Sequence, residues 1–365
     1  MKVTFFTNIV PTYRYPFFEQ LSLSHDLTII CSKQYPGISL RNSPNSANLK
    51  ILFVKLFHFN KIFIHSLPLY LLFKNLSSTQ VYIFDGNVRH ISYVFFSFFL
   101  LILRKKCFIW SCDNHVSSNR FQTLTRYLRI RYWSLFYGFL LYGDNDLKSL
   151  SKSYFLSHVL NRSSVIGNGL NPPSNINNNI LLSDIADGKL STHNYFISIG
   201  RMYNNRFFDI IAPVMQWLST HPYVYWVVVG DGENFSEFVD IVNCYKHKHQ
   251  VIILGSIEDD DSQMTLISNA RYVLHSGTVG LHVLNSYRFG KRILIPSDCS
   301  MYSIEANLCY EPYDLRYNQL NISSLLDEFF ENYHKSSIMD QITFKNNTLT
   351  MANNLSFALS KIPLL

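Results

Sequence analysis

The stretch Tyr272-Val273-Leu274-His275-Ser276-Gly277-Thr278-Val279-Gly280-Leu281-His282-Val283-Leu284-Asn285 holds a short apolar run, a turn with two glycines, and the start of a second apolar segment at helical spacing. That succession predicts a strand over Tyr272–His275 and a helix over Leu281–Phe289. A strand entering a helix through such a turn points backbone N–H groups and a helix N-terminus at one place, which suits a diphosphate. Ser276, Gly277, Thr278, Val279, Gly280 and Leu281 are the candidate positions. Asn285 lies one turn further in, where its amide can reach a ribose hydroxyl.

Outward from this stretch the same alternation repeats. Strands are expected at Tyr195–Ile199, Tyr223–Val229, Val251–Leu254 and Arg292–Ile295, with helices near Arg206–Ser219, Phe235–Tyr245 and Ser262–Asn269. Gly200-Arg201 closes the first of these strands, and Arg206 follows at the start of a helix. Two guanidinium groups at a strand end bind phosphate oxygens bidentately. Val227-Val228-Val229-Gly230-Asp231-Gly232 is a buried strand ending in a turn, which brings Gly230 to the same edge.

The first half shows a second set. Strands are expected at Val3–Thr7, Leu27–Cys31, Ile51–Val54, Val81–Phe84, Cys107–Trp110 and Phe139–Tyr142, with helices near Tyr15–Leu23, Lys61–Lys74, His90–Leu103, Arg120–Tyr137 and Asn145–Tyr154. Between the halves, Asn171-Pro172-Pro173-Ser174-Asn175-Ile176-Asn177-Asn178-Asn179 is rich in loop formers and has no hydrophobic period. The expected organisation is a first domain over 1–170, a linker over 171–194, a second domain over 195–347, and a final helix over 348–365 that packs back on the first domain or stays with the second.

Composition agrees with two globular domains. The 365 residues are 47% apolar and 16% charged, with 23 Tyr and 29 Phe, which excludes disorder. The net charge of +7 is unevenly divided: residues 1–170 carry 19 basic and 6 acidic side chains, residues 171–365 carry 13 and 19. A basic first half favours an anionic partner such as a membrane surface, a phosphate-bearing substrate or nucleic acid. The six cysteines form no CxxC pair and read as reduced, and Met1–Thr7 lacks the apolar region of a signal peptide, so a cytoplasmic location is expected. Ile91–Leu103 is apolar over 13 residues, short of a spanning helix, and is either a buried helix or one lying in a membrane interface. Arg120–Trp133 interleaves bases with aromatics, yet its spacing describes an amphipathic helix rather than a nucleic-acid surface. Asp144-Asn145-Asp146 and Asp259-Asp260-Asp261 read as helix-start acids, and no metal is expected.

The order Gly200-Arg201, Arg206, Gly230-Asp231-Gly232, Leu254-Gly255, then Ser276, Val279-Gly280-Leu281 and Gly290 resembles the donor half of GT-B sugar transferases of glycosyltransferase family 4. Phe6-Thr7-Asn8-Ile9 to Tyr13-Arg14, Leu141-Tyr142-Gly143 and Val165-Ile166-Gly167-Asn168-Gly169-Leu170 extend the resemblance over nearly the whole chain. The variant it resembles most is found in bacterial O-antigen and capsule synthesis, with a Gly-x-Val-Gly-Leu turn. The resemblance implies an α/β fold of GT-B type, two Rossmann-like doubly wound domains facing a central cleft. It implies a retaining sugar transferase without a cofactor, which takes a nucleotide diphosphate sugar donor and a lipid-linked oligosaccharide acceptor at the inner membrane surface. Arg201 and Arg206 then meet the diphosphate, and Gly230, the Ser276–Leu281 turn and Asn285 complete the donor site. The family's paired glutamates fall on Gly277 and Asn285. Its frequent strand-end His is replaced by Trp110-Ser111-Cys112-Asp113-Asn114-His115, so Asp113 or His115 is the candidate beside the reacting sugar. Tyr13 and Arg14 are candidates for an acceptor or phosphate contact. A sugar-nucleotide epimerase and a non-catalytic nucleotide-sugar binder stay open as alternatives.

Overall fold

The computed structural model describes residues 1–35, 38–39, 49–59, 62–66, 79–111, 120–170, 188, 190, 194–202, 207–257, 260–277, 280–297, 315–318, 320–331 and 347–363. The chain divides into two compact units, Met1–Asn171 with Asn346–Leu365, and Pro172–Lys345.

The first unit is built on β1 (Lys2–Phe6), β2 (Asp26–Ser32), β3 (Leu49–Val54), β4 (Leu56–Phe59), β5 (Ile62–His65), β6 (Val81–Asp85), β7 (Lys106–Ser111), β8 (Gly138–Leu141) and β9 (Ser164–Val165). Seven of these form a sheet in the order β9-β8-β7-β6-β1-β2-β3, and every pairing in it is parallel. Its longer helices ahead of the final one are α1 (Tyr15–Ser22), α2 (Ile91–Ile102), α3 (Arg120–Trp133) and α4 (Asp144–Ser151). Strand residues alternate between two apolar layers: Val3, Phe5, Val81, Ile83, Phe108 and Trp110 face one, and Phe6, Tyr82, Phe84, Cys107 and Ile109 face the other. Burial on both faces is why these strands read as unbroken apolar runs.

One expectation fails here. The helix expected over Lys61–Lys74 is not formed at its start, because Ile62–His65 is a strand paired antiparallel with Leu56–Phe59. The remainder of that segment, 67–74, lies outside the described residues. The acidic triplet sits one position later than a cap: Gly143 is the N-cap of α4, and Asp144 and Asp146 lie in the first turn, where the helix dipole favours them.

The second unit repeats the plan with β10 (Tyr195–Ile199), α5 (Phe208–Leu218), β11 (Tyr225–Val229), α6 (Phe235–Asn243), β12 (Val251–Gly255), α7 (Asp260–Asn269), β13 (Val273–Leu274), α8 (His282–Arg288), β14 (Ile293–Pro296), β15 (Leu315–Tyr317) and α9 (Ile322–Glu331). Its all-parallel sheet runs β12-β11-β10-β13-β14-β15. Phe196, Trp226, Val228, Leu274 and Leu294 fill one layer, and Tyr195, Ile197, Val227, Val229 and Ile293 the other.

The last helix, α10 (Thr348–Ser360), belongs to the first unit. Met351, Ala352, Leu355 and Leu359 are buried in the same layer as Val3 and Phe17. The Asn347 side chain caps it by accepting from the Thr350 N–H at 2.7 Å, and Asn354 donates to the Ile166 carbonyl at 3.3 Å.

Candidate functional site

In both sheets the strand order reverses once, between β1 and β6 in the first unit and between β10 and β13 in the second. Ligands of open parallel sheets bind outside the carboxyl ends of the strands at such a reversal. Each unit therefore offers one crevice, and the residues at the two are different.

In the second unit the ladder between β10 and β13 has a single register pair, Ile197 with Val273. Beyond it the connection is made by a side chain. The buried Ser198 hydroxyl donates to the Leu274 carbonyl at 2.7 Å and accepts from the indole N–H of Trp226 at 3.0 Å. The turns that follow the strands are joined by backbone bonds. Gly200 N–H donates to Val229 O at 3.0 Å, Met202 N–H to Asp231 O at 2.9 Å, and Gly230 N–H to Gly255 O at 2.7 Å.

Two glycines make this approach possible. A Cβ on Gly230 would stand 2.0 Å from the Gly200 carbonyl oxygen, and one on Gly232 would stand 2.3 Å from that of Met202. Both adopt positive φ, 154° and 149°. The Gly200-Arg201 and Gly230-Asp231-Gly232 turns are thus one stitched edge, with Arg201 and Asp231 exposed on it.

Across the reversal, Ser276 is 1% exposed and its hydroxyl is committed within the protein. It accepts from the Phe207 N–H at 3.2 Å and donates to the Asp209 carboxylate at 2.5 Å. Ser276 therefore braces the turn against the start of α5, and Gly277, at φ +74°, turns the chain after it. Gly280 and Leu281 lead into α8. Asn285 is half-buried on that helix, with its amide oxygen accepting from Arg288 at 3.3 Å, which leaves its N–H groups as the part available to a ligand. Of the candidate positions, Arg206, Thr278 and Val279 lie outside the described residues, as do Asp113 and His115.

The first unit's crevice holds a residue that the motif reading passed over. Asp85 ends β6 half-buried, and its carboxylate accepts backbone N–H bonds from Asn87, at 3.1 Å, and from Asn8 beyond the end of β1. It thereby ties the two strands at their reversal. Burial pushes its pKa up to about 6, against the lowering effect of those two N–H groups. Behind it the Tyr93 hydroxyl donates to the Thr7 carbonyl at 3.0 Å. Gly86 allows the close packing, since a Cβ there would lie 2.7 Å from Ser111 and 2.8 Å from Trp133. The sequence marks it by composition alone: Asp85 is the one acidic residue between Leu27 and Cys112, and no motif surrounds it.

Tyr13 and Arg14 are separated by their surroundings. Tyr13 is 41% exposed, whereas Arg14 is 6% exposed. The Arg14 guanidinium donates to Asn168 at 2.5 Å and to the Met351 sulfur at 3.3 Å, and lies 5.2–5.5 Å from the ring centroids of Tyr13, Trp110 and Tyr142. It pins the α1 entry to α10, and Tyr13 is the member of the pair open to a ligand.

No family model matches the chain. The phosphatidylinositol N-acetylglucosaminyltransferase GPI3 subunit of Saccharomyces cerevisiae is 26% identical over 106 residues, 29% of this chain and 22% of that protein. The chain thus spans about a fifth of the length of that curated relative. Among solved structures, Anabaena Alr3699/HepE in complex with UDP and glucose aligns over 99% of this chain and 100% of its own, at TM-score 0.70 and 13% identity. The lipopolysaccharide outer core galactosyltransferase WaaB, in its apo form, aligns over the same shares at TM-score 0.63 and 13% identity. The fold is therefore GT-B, two Rossmann-like units in one chain, as the motif resemblance implies.

Proposed function

We propose that the chain is a glycosyltransferase that moves a hexose-type sugar from a nucleotide diphosphate donor to a lipid-linked oligosaccharide, with retention, in the assembly of a bacterial surface polysaccharide. The observation that carries this reading is the edge of the second unit. Gly200, Gly230, Gly232 and Gly255 at the ends of β10, β11 and β12, the exposed Arg201 and the braced Ser276-Gly277 turn line the carboxyl edge of the sheet on both sides of its strand reversal, where backbone donors and a guanidinium suit a diphosphate. Support comes also from the UDP and glucose held by a protein of the same fold and from the sugar transfer named for WaaB and the yeast subunit.

In this reading Arg201 and Arg206 stabilise the charge that develops on the departing diphosphate, the largest electrostatic demand of the reaction. Backbone N–H groups of the Ser276–Leu281 turn bind its oxygens, and Asn285 reads the ribose. The first unit takes the acceptor, with Tyr13 at its mouth and Asp113 or His115 beside the reacting sugar. The basic charge of that unit suits a peripheral position on the cytoplasmic face of the inner membrane.

A thermal-shift series with UDP, GDP, ADP and their sugars tests donor binding, since a ligand of the folded state alone raises its stability. One nucleotide is expected to stand out. Replacing Arg201→Ala together with Arg206→Ala is expected to remove that shift and to lower transfer by a factor of about 100 or more. Unchanged transfer in the double variant overturns the site. Incubation with donor alone separates transfer from epimerisation, because an epimerase interconverts the sugar without any acceptor.

A further inference from the structure

The first unit carries an apolar surface that none of its own described layers explains. In the β4–β5 hairpin the cross-strand pairs are Phe57 with Ile64 and Phe59 with Ile62, so these four side chains share one face. All four are exposed, Phe59 at 77%. The opposite face carries Phe63 and His65, which are buried against the start of α2. There the His65 N–H donates to the Ser92 hydroxyl at 2.8 Å, and its ring stacks on Tyr93 at 4.1 Å.

Helix α2 repeats the contrast. Tyr93, Phe96, Ser97 and Leu100 point inward and are buried. Phe95, Phe98, Phe99 and Ile102 lie on the opposite side and are exposed, Phe95 at 72% and Ile102 at 78%. A helix with water on its outer side carries polar residues there. This one presents three phenylalanines and an isoleucine. With the adjoining hairpin it makes eight large apolar side chains on the outside of one unit, the kind of surface that marks an interaction site.

We propose that the outer faces of the β4–β5 hairpin and of α2 dock on an anionic lipid bilayer, the aromatic side chains entering the headgroup boundary. Charge selects this occupant over a second copy of the chain. Residues 27–112 contain ten Lys and Arg and one acidic residue, Asp85. The exposed or half-exposed Lys55, Arg89, Arg104 and Lys105 stand at the ends of the two elements, Lys55 before β4, Arg89 before α2, and Arg104 and Lys105 after it. Two such faces brought together repel, whereas an anionic surface neutralises them. At 12 residues α2 is too short to span a bilayer, which needs about 20, and an apolar face ringed by cations is how a helix lies in the interface. The inference rests on the peripheral placement proposed above and names the surface responsible, without any need of the transfer chemistry.

Flotation of the full chain with vesicles tests it, using phosphatidylcholine alone and phosphatidylcholine mixed with phosphatidylglycerol. The wild-type chain is expected to float with the anionic vesicles, less so as salt is raised. Phe57→Ser with Phe59→Ser, and Phe95→Ser with Ile102→Ser, change exposed positions and are expected to keep the wild-type melting curve while weakening partitioning about tenfold or more. Tyr223→Ser with Leu320→Ser, exposed apolar positions of the second unit, is expected to leave it unchanged. If the wild-type chain floats and the two first-unit pairs float equally well, this face is not the docking surface while peripheral placement stands. If the wild-type chain floats with neither vesicle, both fall. A dimer in light scattering that the serine pairs abolish assigns the face to a second copy and overturns the proposal.

Discussion

The two strand reversals of this chain share an architecture and differ in chemistry. In the first unit a carboxylate, Asp85, ties the two central strands at their carboxyl ends. In the second a neutral hydroxyl, Ser198, does the tying below the edge, and the edge itself carries glycine turns and Arg201. The signs run against the totals, because the acidic group sits in the basic half and the guanidinium in the acidic half. Net charge therefore describes what surrounds a unit, and the crevice is set by a few residues that the total conceals. Under the proposed function the second crevice takes the diphosphate, whereas the first offers a carboxylate that can accept from a sugar hydroxyl.

The largest test of the contrast lies in the glycines. Gly230→Ala puts a methyl group 2.0 Å from a backbone oxygen at a strained φ, so a loss of about 3 kcal/mol or more is expected in urea unfolding, with loss of the nucleotide-induced thermal shift. If the nucleotide shift survives intact, the stitched edge is not the binding edge.

Asp85→Asn comes next and acts with pH. The folded-state pKa of about 6 stands above the ordinary carboxylate value, so this group favours the fold fully at the acid end, below pH about 4, and that contribution is lost as pH rises through about 6. The amide keeps an acceptor for a backbone N–H and removes the cost of burying a charge. Stability is expected to rise by about 2 kcal/mol at pH 7 and to be unchanged near pH 4, measured by chemical unfolding at both. The same rise at both pH values shows that the carboxylate is not strained by burial.

Ser198→Ala removes the second unit's tie and leaves the Trp226 indole N–H buried without its acceptor, with an expected cost of about 1–3 kcal/mol at every pH. A pH-dependent cost erases the distinction between the two ties.

The smallest effect is at the end of α2. There Arg104 adopts φ 54°, its N–H donating to the Leu101 carbonyl and that of Lys105 to the Leu100 carbonyl. This is the helix-ending arrangement that glycine fills at least cost. Arg104→Gly is expected to raise the melting midpoint, by about 1 kcal/mol of stability, while lowering vesicle affinity through the lost charge.

Much of this was legible in the sequence, and the exceptions have physical causes. The central strands were readable because burial on both faces makes apolar runs too short for helices: Tyr195–Ile199 matches to the residue, and the other expected strands begin and end within two residues of expectation. The hairpin was misread because Phe57, Phe59, Ile62 and Ile64 are apolar on the side that faces outward. With no polar alternation, a strand pair and a helix look alike. β15 is three residues long, too short for any period, while α9 does carry Ile322, Leu326 and Phe329 at helical spacing and was passed over. At the site, turns and glycines were legible because backbone conformation restricts residue type. Asp85 was not, because a lone carboxylate at a strand end forms no pattern. Nor was the enclosure of Arg14, which depends on Asn168 and Met351, distant in sequence.

The return of α10 to the first unit also orders events in time. Synthesis runs from the amino end, so the residues of β1, α1 and β2 leave the ribosome long before Met351, Leu355 and Leu359 exist to cover them. The half that is made first is the half completed last, and its apolar layer stays open to chaperones until α10 has emerged.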